Sequence, residues 1–183
     1  LLKYDTDYGR FPFAIDVQDQ KIIIDNKVHI DVLNSDEPEK IPWDKSGVDV
    51  VIEATGQFRK RDTALLHQRN NASVKKVIIT APAQDEDITI IMGVNDSDYD
   101  PSNHHLISAG SCTTNCIVPM IKVLHDNFEI QDGMMTTIHS YTRDQNLVDA
   151  KHKDLRRSRA AASNIIPTST GAASAISTII PEL

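Results

Sequence analysis

The sequence predicts an α/β protein built on a largely parallel sheet, and three features carry that prediction. A nearly continuous apolar strand at residues 48–53 has the pattern of a sheet covered on both faces, and buried-type strands follow at 76–80, 88–92 and 106–109. A stretch with helical apolar spacing, 63–72, falls between the first two. Strand, helix, strand in that order is the pattern of a parallel sheet whose crossovers are helices.

The remaining elements read in chain order. Residues 13–17, 21–24 and 27–33 carry β-branched side chains and are separated by turn-like residues at 18–20 and 25–26, which predicts antiparallel hairpins. After the sheet the pattern changes. Residues 112–127 read as a helix with Thr and Asn at its start, and Pro119 inside it predicts a kink. Residues 134–141 read as a strand. The stretch 142–164 is polar, irregular and too long for a casual connection, and 171–180 is helix-like and rich in small residues. The change of pattern places a domain boundary at Cys112, giving domains 1–111 and 112–183. There is no internal repeat and no low-complexity tract.

Composition narrows the function classes. At 40% hydrophobic and 25% charged over 183 residues, the chain has enough apolar mass for a core. A net charge of −7 argues against general nucleic-acid binding, which draws on clustered Lys and Arg. No segment approaches the roughly 18 consecutive apolar residues of a membrane span. No secretory signal pattern opens the chain, and two cysteines four apart make no disulfide framework, so a reducing, cytoplasmic setting is expected. The chain opens Leu1-Leu2-Lys3 without Met and ends Pro181-Glu182-Leu183 directly after an apolar helical run; both ends are expected to be cuts through structure. The seven glycines, at 9, 47, 56, 93, 110, 133 and 171, nowhere form the Gly-x-Gly-x-x-Gly fingerprint, so the residues alone predict no nicotinamide cofactor.

One constellation carries chemistry. Cys112 follows the strand 106–109 and opens a helix, where partial positive charge and free N–H groups lower a thiol's pKa. Placement alone leaves open a buried structural cysteine. His139, on the predicted strand 134–141, would complete the Cys–His pair that thiol catalysis requires, although the chain has seven histidines. The basic run 151–159 reads as a solvated face, a nucleic-acid contact, or a source of one arginine for a substrate phosphate. Thr168-Ser169-Thr170-Gly171 opens a helix and reads either as an anion cradle or as a simple N-cap. Cys112, Cys116, His104 and His105 match no common zinc spacing, and no metal site is expected.

Together these pieces resemble the phosphorylating glyceraldehyde-3-phosphate dehydrogenase family. The run Ser111-Cys112-Thr113-Thr114-Asn115-Cys116 is similar to its active-site signature, and residues 4–11, 41–43, 49–56, 80–83, 92–95, 137–142, 154–157 and 164–173 resemble family segments in family order. The resemblance implies a Rossmann-type NAD-binding domain, incomplete at its N-terminus, plus part of an α+β catalytic domain. It implies that Cys112 attacks the aldehyde carbon of glyceraldehyde 3-phosphate, that His139 activates the thiol, and that Cys112's N–H and His139 cradle the oxyanion. By the same resemblance Thr142 and Arg157 belong to the phosphate-holding sites, and Thr170 and Gly171, beside Ser111 and Thr113, form the second anion pocket. Thr55, Gly56 and Thr80 line the NAD groove. The parent is implied to be a cytoplasmic homotetramer of glycolysis, with the 142–164 loop against a neighbouring subunit's cofactor groove. The 183-residue piece by itself is expected to be inactive. There are departures: Asp36 stands where the family has an arginine near the cofactor's adenosine end, and Ala109-Gly110 replaces Asn-Ala, which predicts a looser loop. Cys116 is assigned no role. The alternatives are erythrose-4-phosphate dehydrogenase and a non-catalytic redox-sensing or interaction module.

Overall fold

A computed structural model describes residues 1–183 and divides them into two compact units, residues 1–48 with 66–74, and residues 49–65 with 75–183. In the first unit, strands β1 (Tyr4–Asp5) and β2 (Gly9–Arg10) form a small antiparallel pair. Strands β3 (Ile15–Gln18), β4 (Lys21–Ile24) and β5 (Val28–Asp31) form the predicted antiparallel meander in the order β3-β4-β5. Asp19 and Gln20, the two residues between β3 and β4, both have positive φ (48° and 62°), the conformation that lets a two-residue turn follow the strand twist. Asp44 fastens residues 72–73 in this unit, its carboxylate accepting from the backbone N–H groups of Ala72 (3.2 Å) and Ser73 (2.8 Å).

The second unit holds the parallel sheet. Its strands β6 (Val50–Glu53), β7 (Lys76–Ile79), β8 (Ile88–Thr89) and β9 (Leu106–Ser108) lie in the order β6-β7-β9-β8, all parallel, as an α/β fold of Rossmann type. β9 is flanked on both sides and buried at every residue, as its apolar run predicts. The edge strand β6 differs from expectation: Val51 and Glu53 are buried, but Val50 and Ile52 are 43% and 64% exposed, so only one face is covered. The helix expected at 63–72 is shorter, an α-helix α1 (Arg61–Ala64) followed by a 3-10 turn (Leu65–Gln68). Beyond that turn the Asn71 side-chain amide donates to the His67 carbonyl at 3.2 Å, occupying an acceptor that a continuing helix would use.

After β9, helix α2 (Cys112–Phe128) runs unbroken through Pro119. Helix α3 (Ala172–Ile179) packs on it through a core of Ile91, Val118, Ile179 and Ile180. The strand predicted at 134–141 does not form. No strand occurs after α2 to pair with it, and Met134 and Ile138 are 100% and 99% exposed. The 142–164 stretch is irregular as expected, with 3-10 turns at Leu155–Ser158 and Ala161–Ser163.

Asp87 ties these strands together. Its carboxylate accepts from the backbone N–H of His105 and Leu106 (both 2.7 Å) and from the Arg61 guanidinium. Burial pushes its pKa up, but the hydrogen bonds from Leu106, Arg61 and His105 outweigh that and hold it at about 2. The stabilisation is therefore complete above the unfolded carboxyl value of about 3.9 and is lost as pH falls through the folded value. Asp87→Asn is expected to cost roughly 2 kcal/mol at neutral pH. Urea denaturation should show the gap between the two proteins closing as pH falls from 5 toward about 2; a gap independent of pH would contradict the assignment.

Candidate active site

Cys112 is placed by the junction of β9 and α2. The turn between them is tied down rather than loose. Gly110 (φ 67°) donates its N–H to Ser108 Oγ at 3.1 Å, and the Asn115 side-chain amide donates to the carbonyls of Ala109 (2.7 Å) and Ser111 (2.9 Å). A Cβ on Gly110 would stand 3.1 Å from Ile91 Cδ1, so this residue lets the turn close onto the core. Ser111 caps α2, its Oγ accepting the Thr114 N–H at 2.9 Å, and Thr114 is buried beneath it. The Cys112 side chain thus emerges exposed from the first turn of a long helix.

His139 meets it there. Cys112 Sγ lies 3.2 Å from His139 Nε2, and His139 Nδ1 donates to the Ser140 carbonyl at 2.6 Å. Because a carbonyl can only accept, the proton on Nδ1 is assigned and Nε2 faces the sulfur. The His139 contact lowers the Cys112 thiol pKa against the opposing effect of burial, with the Thr113 backbone N–H and hydroxyl assisting. The Ser140 carbonyl, then the Cys112 sulfur, raises that of His139. Both shifts favour a thiolate–imidazolium pair.

The other predicted anion-binding residues come to the same cleft: Ser111, Thr113, Thr142, Arg157, Thr170 and Gly171 all line it with Cys112 and His139. Thr142 is set by a turn in which its N–H donates to Gln145 Oε1 at 2.8 Å. Arg157 spreads its guanidinium between Asp144 Oδ2 and Thr168 Oγ1, each at 2.7 Å. Thr170 Oγ1 accepts the Ala172 N–H at 3.2 Å at the start of α3. Thr55, Gly56 and Thr80 are not in the lining; they sit exposed where β6 and β7 end, while Arg59, Pro82 and Ala83 from the same two loops do reach the cleft. Sequence reasoning missed Arg59 and Asp144. The available signals were a cation three residues beyond the Gly56 turn and an acid two residues beyond Thr142.

An activated thiol at a helix start, beside hydroxyls and an arginine, can attack an electrophilic carbon while holding an anionic substrate, which is the chemistry of a covalent-catalysis thiol enzyme. Comparison with known proteins gives the family. A family model described as glyceraldehyde 3-phosphate dehydrogenase, NAD binding domain, matches residues 1–61, and one described as glyceraldehyde 3-phosphate dehydrogenase, C-terminal domain, matches residues 111–183. The chain is 56% identical over 183 residues to the glyceraldehyde-3-phosphate dehydrogenase of Streptomyces coelicolor, 54% to that of Geobacillus stearothermophilus and 53% to glyceraldehyde-3-phosphate dehydrogenase 1 of Bacillus subtilis. All of this chain and 54% of each relative are covered, so the chain spans about half the length of the curated relatives it matches. It belongs to the glyceraldehyde-3-phosphate dehydrogenase family.

The pair makes a direct prediction. Iodoacetamide should alkylate Cys112 with a rate that rises at a pH below that of a free thiol, about 8.5. His139→Ala removes the contact that lowers the pKa, so the rise should move to higher pH and the neutral-pH rate should fall. Mapping the alkylated peptide at each pH checks this. A Cys112 profile unchanged by His139→Ala would contradict the pairing.

Proposed function

We propose that the protein of which this chain forms part is a phosphorylating glyceraldehyde-3-phosphate dehydrogenase, oxidising D-glyceraldehyde 3-phosphate with NAD and inorganic phosphate to 1,3-bisphosphoglycerate in glycolysis. The 3.2 Å approach of Cys112 Sγ and His139 Nε2, inside a cleft lined by hydroxyls and Arg157, carries this reading. The Cys112 thiolate attacks the aldehyde carbon, forming a C–S bond as the carbonyl π pair moves to oxygen. The oxyanion is met by the Cys112 backbone N–H and by the imidazolium of His139, which supplies the proton. His139 takes that proton back as the hemithioacetal is oxidised, leaving a thioester on Cys112. Inorganic phosphate attacks the thioester carbon and expels the Cys112 thiolate, giving the acyl phosphate. Arg157 and Thr142 hold the substrate phosphate, and Thr170 and Gly171, with Ser111 and Thr113, receive the attacking phosphate.

NAD, when bound, supplies the hydride acceptor. The exposed carboxyl ends of β6 and β7 fit such a group, because dinucleotides bind outside the carboxyl ends of parallel strands. At Gly56 (φ 75°) a Cβ would meet nothing within 4 Å, so the backbone is open to approach. Thr55, Gly56 and Thr80 would hold the group there. A boundary between cofactor and catalytic domains at 111/112 is supported by the C-terminal family model, which begins at residue 111.

The activity, a homotetrameric assembly and the 142–164 loop as a subunit contact are assigned to the longer protein. By itself this chain leaves Leu155 and Ile165 82% and 101% exposed, which supports expecting no turnover from it alone. A cytoplasmic setting is supported by the need to keep Cys112 reduced, and no helix is long and apolar enough to cross a membrane.

In the longer protein, Cys112→Ser is expected to abolish NADH formation from glyceraldehyde 3-phosphate, and His139→Asn to lower kcat by about 100-fold to 10,000-fold. Retained oxidation by Cys112→Ser would sink the mechanism. Arg157→Ala should raise KM for glyceraldehyde 3-phosphate by about tenfold or more while sparing oxidation of the unphosphorylated aldehyde. Equal losses on both aldehydes would deny Arg157 its phosphate.

A further inference from the structure

The carboxyl ends of β6 and β7 are set by one residue. Glu53 closes β6 and is 3% exposed. Its Oε1 accepts from both the N–H (2.7 Å) and the hydroxyl (2.5 Å) of Thr55. Thr55 Oγ1 in turn accepts the Gln57 N–H at 3.1 Å, so the turn through Gly56 is built on this hydroxyl. The main-chain carbonyl of Glu53 accepts the Thr80 N–H at 3.0 Å, and Thr80 Oγ1 donates to the same oxygen at 3.4 Å. Side chain and main chain of a single residue therefore orient Thr55 on one strand end and Thr80 on the next.

Burying a carboxylate is expensive unless donors meet it. Two donors here come from an exposed residue two positions on, and neither Thr55 nor Thr80 belongs to the apolar core. Through them the buried acid helps to secure the geometry of a surface rim. A rim fixed in advance lowers the ordering cost of binding.

We propose that Glu53 is a positioning residue for the dinucleotide groove, acting through Thr55 and Thr80 without touching the cofactor. This rests on the NAD reading given above. Its own content is that the Glu53 carboxylate and the Thr55 hydroxyl act as one unit.

The test is direct binding of NAD alone, without substrate, to the longer protein by isothermal titration calorimetry. Thr55→Val is expected to weaken binding by about tenfold, as for loss of one hydrogen bond to a charged group, and Thr55→Ser to recover most of it. Glu53→Ala should weaken binding at least as much. The double variant should be no weaker than Glu53→Ala alone, because the two changes break the same unit. If thermal melting shows that Glu53→Ala does not fold, Glu53→Gln in the wild-type and Thr55→Val backgrounds supplies the same comparison, with an intermediate loss expected in the first and none added in the second. Additive losses, or wild-type affinity in Thr55→Val, would overturn the proposal while leaving the cofactor reading intact. Absence of NAD binding by the unmutated longer protein would overturn both.

Discussion

The chemistry of this chain depends on one contact, between a sulfur at the start of α2 and an imidazole nitrogen 27 residues later. Cys112 is held by regular structure: a buried strand, a pinned turn, a capped helix. His139 is not. It lies in a stretch without strand or helix, and the contacts that place it are the Cys112 sulfur and the Ser140 carbonyl. The same two contacts raise its pKa, so the groups that locate the imidazole also favour its charged form. The thiol is lowered by the partner it positions.

Around this pair the cleft divides its tasks by element type. The helix starts at Ser111 and Gly171 present hydroxyls and backbone N–H groups, neutral donors suited to an anion. One permanent cation of the cleft, Arg157, comes from the irregular stretch and is braced by Asp144 and Thr168. A guanidinium braced on two sides has fewer conformations to lose when an anion arrives. Its bracing residues are charged or polar and lie within 13 positions of it, so the arm carries its own support.

Much of this was legible in the residues, and the failures are physical. The parallel strands at 76–79 and 106–108 announced themselves because both strands bury apolar side chains, and the antiparallel meander because its turns carry Asp and Asn at positive φ. The covered-on-both-faces reading failed at β6 because an apolar run reports what a strand can bury, not what the chain provides to cover it. The strand at 134–141 failed for a related reason: its pattern is β-like, but a strand exists only by pairing, and nothing after α2 pairs with it. The candidate site was readable because Cys112, its cap and its hydroxyls are neighbours in sequence. Bringing His139 and Arg157 to them took the family resemblance. Asp144 and Glu53 escaped notice since each acts on another side chain and neither carries a motif.

In the proposed reaction Cys112 carries the substrate covalently. Its most direct measurement is mass spectrometry of the longer protein, quenched in acid after mixing with glyceraldehyde 3-phosphate and NAD in the absence of inorganic phosphate. An acyl group is expected on the peptide at Cys112, not at Cys116, and is expected to disappear when phosphate is added. NADH formation with no acyl group on Cys112, or with acylation at Cys116 instead, would contradict it.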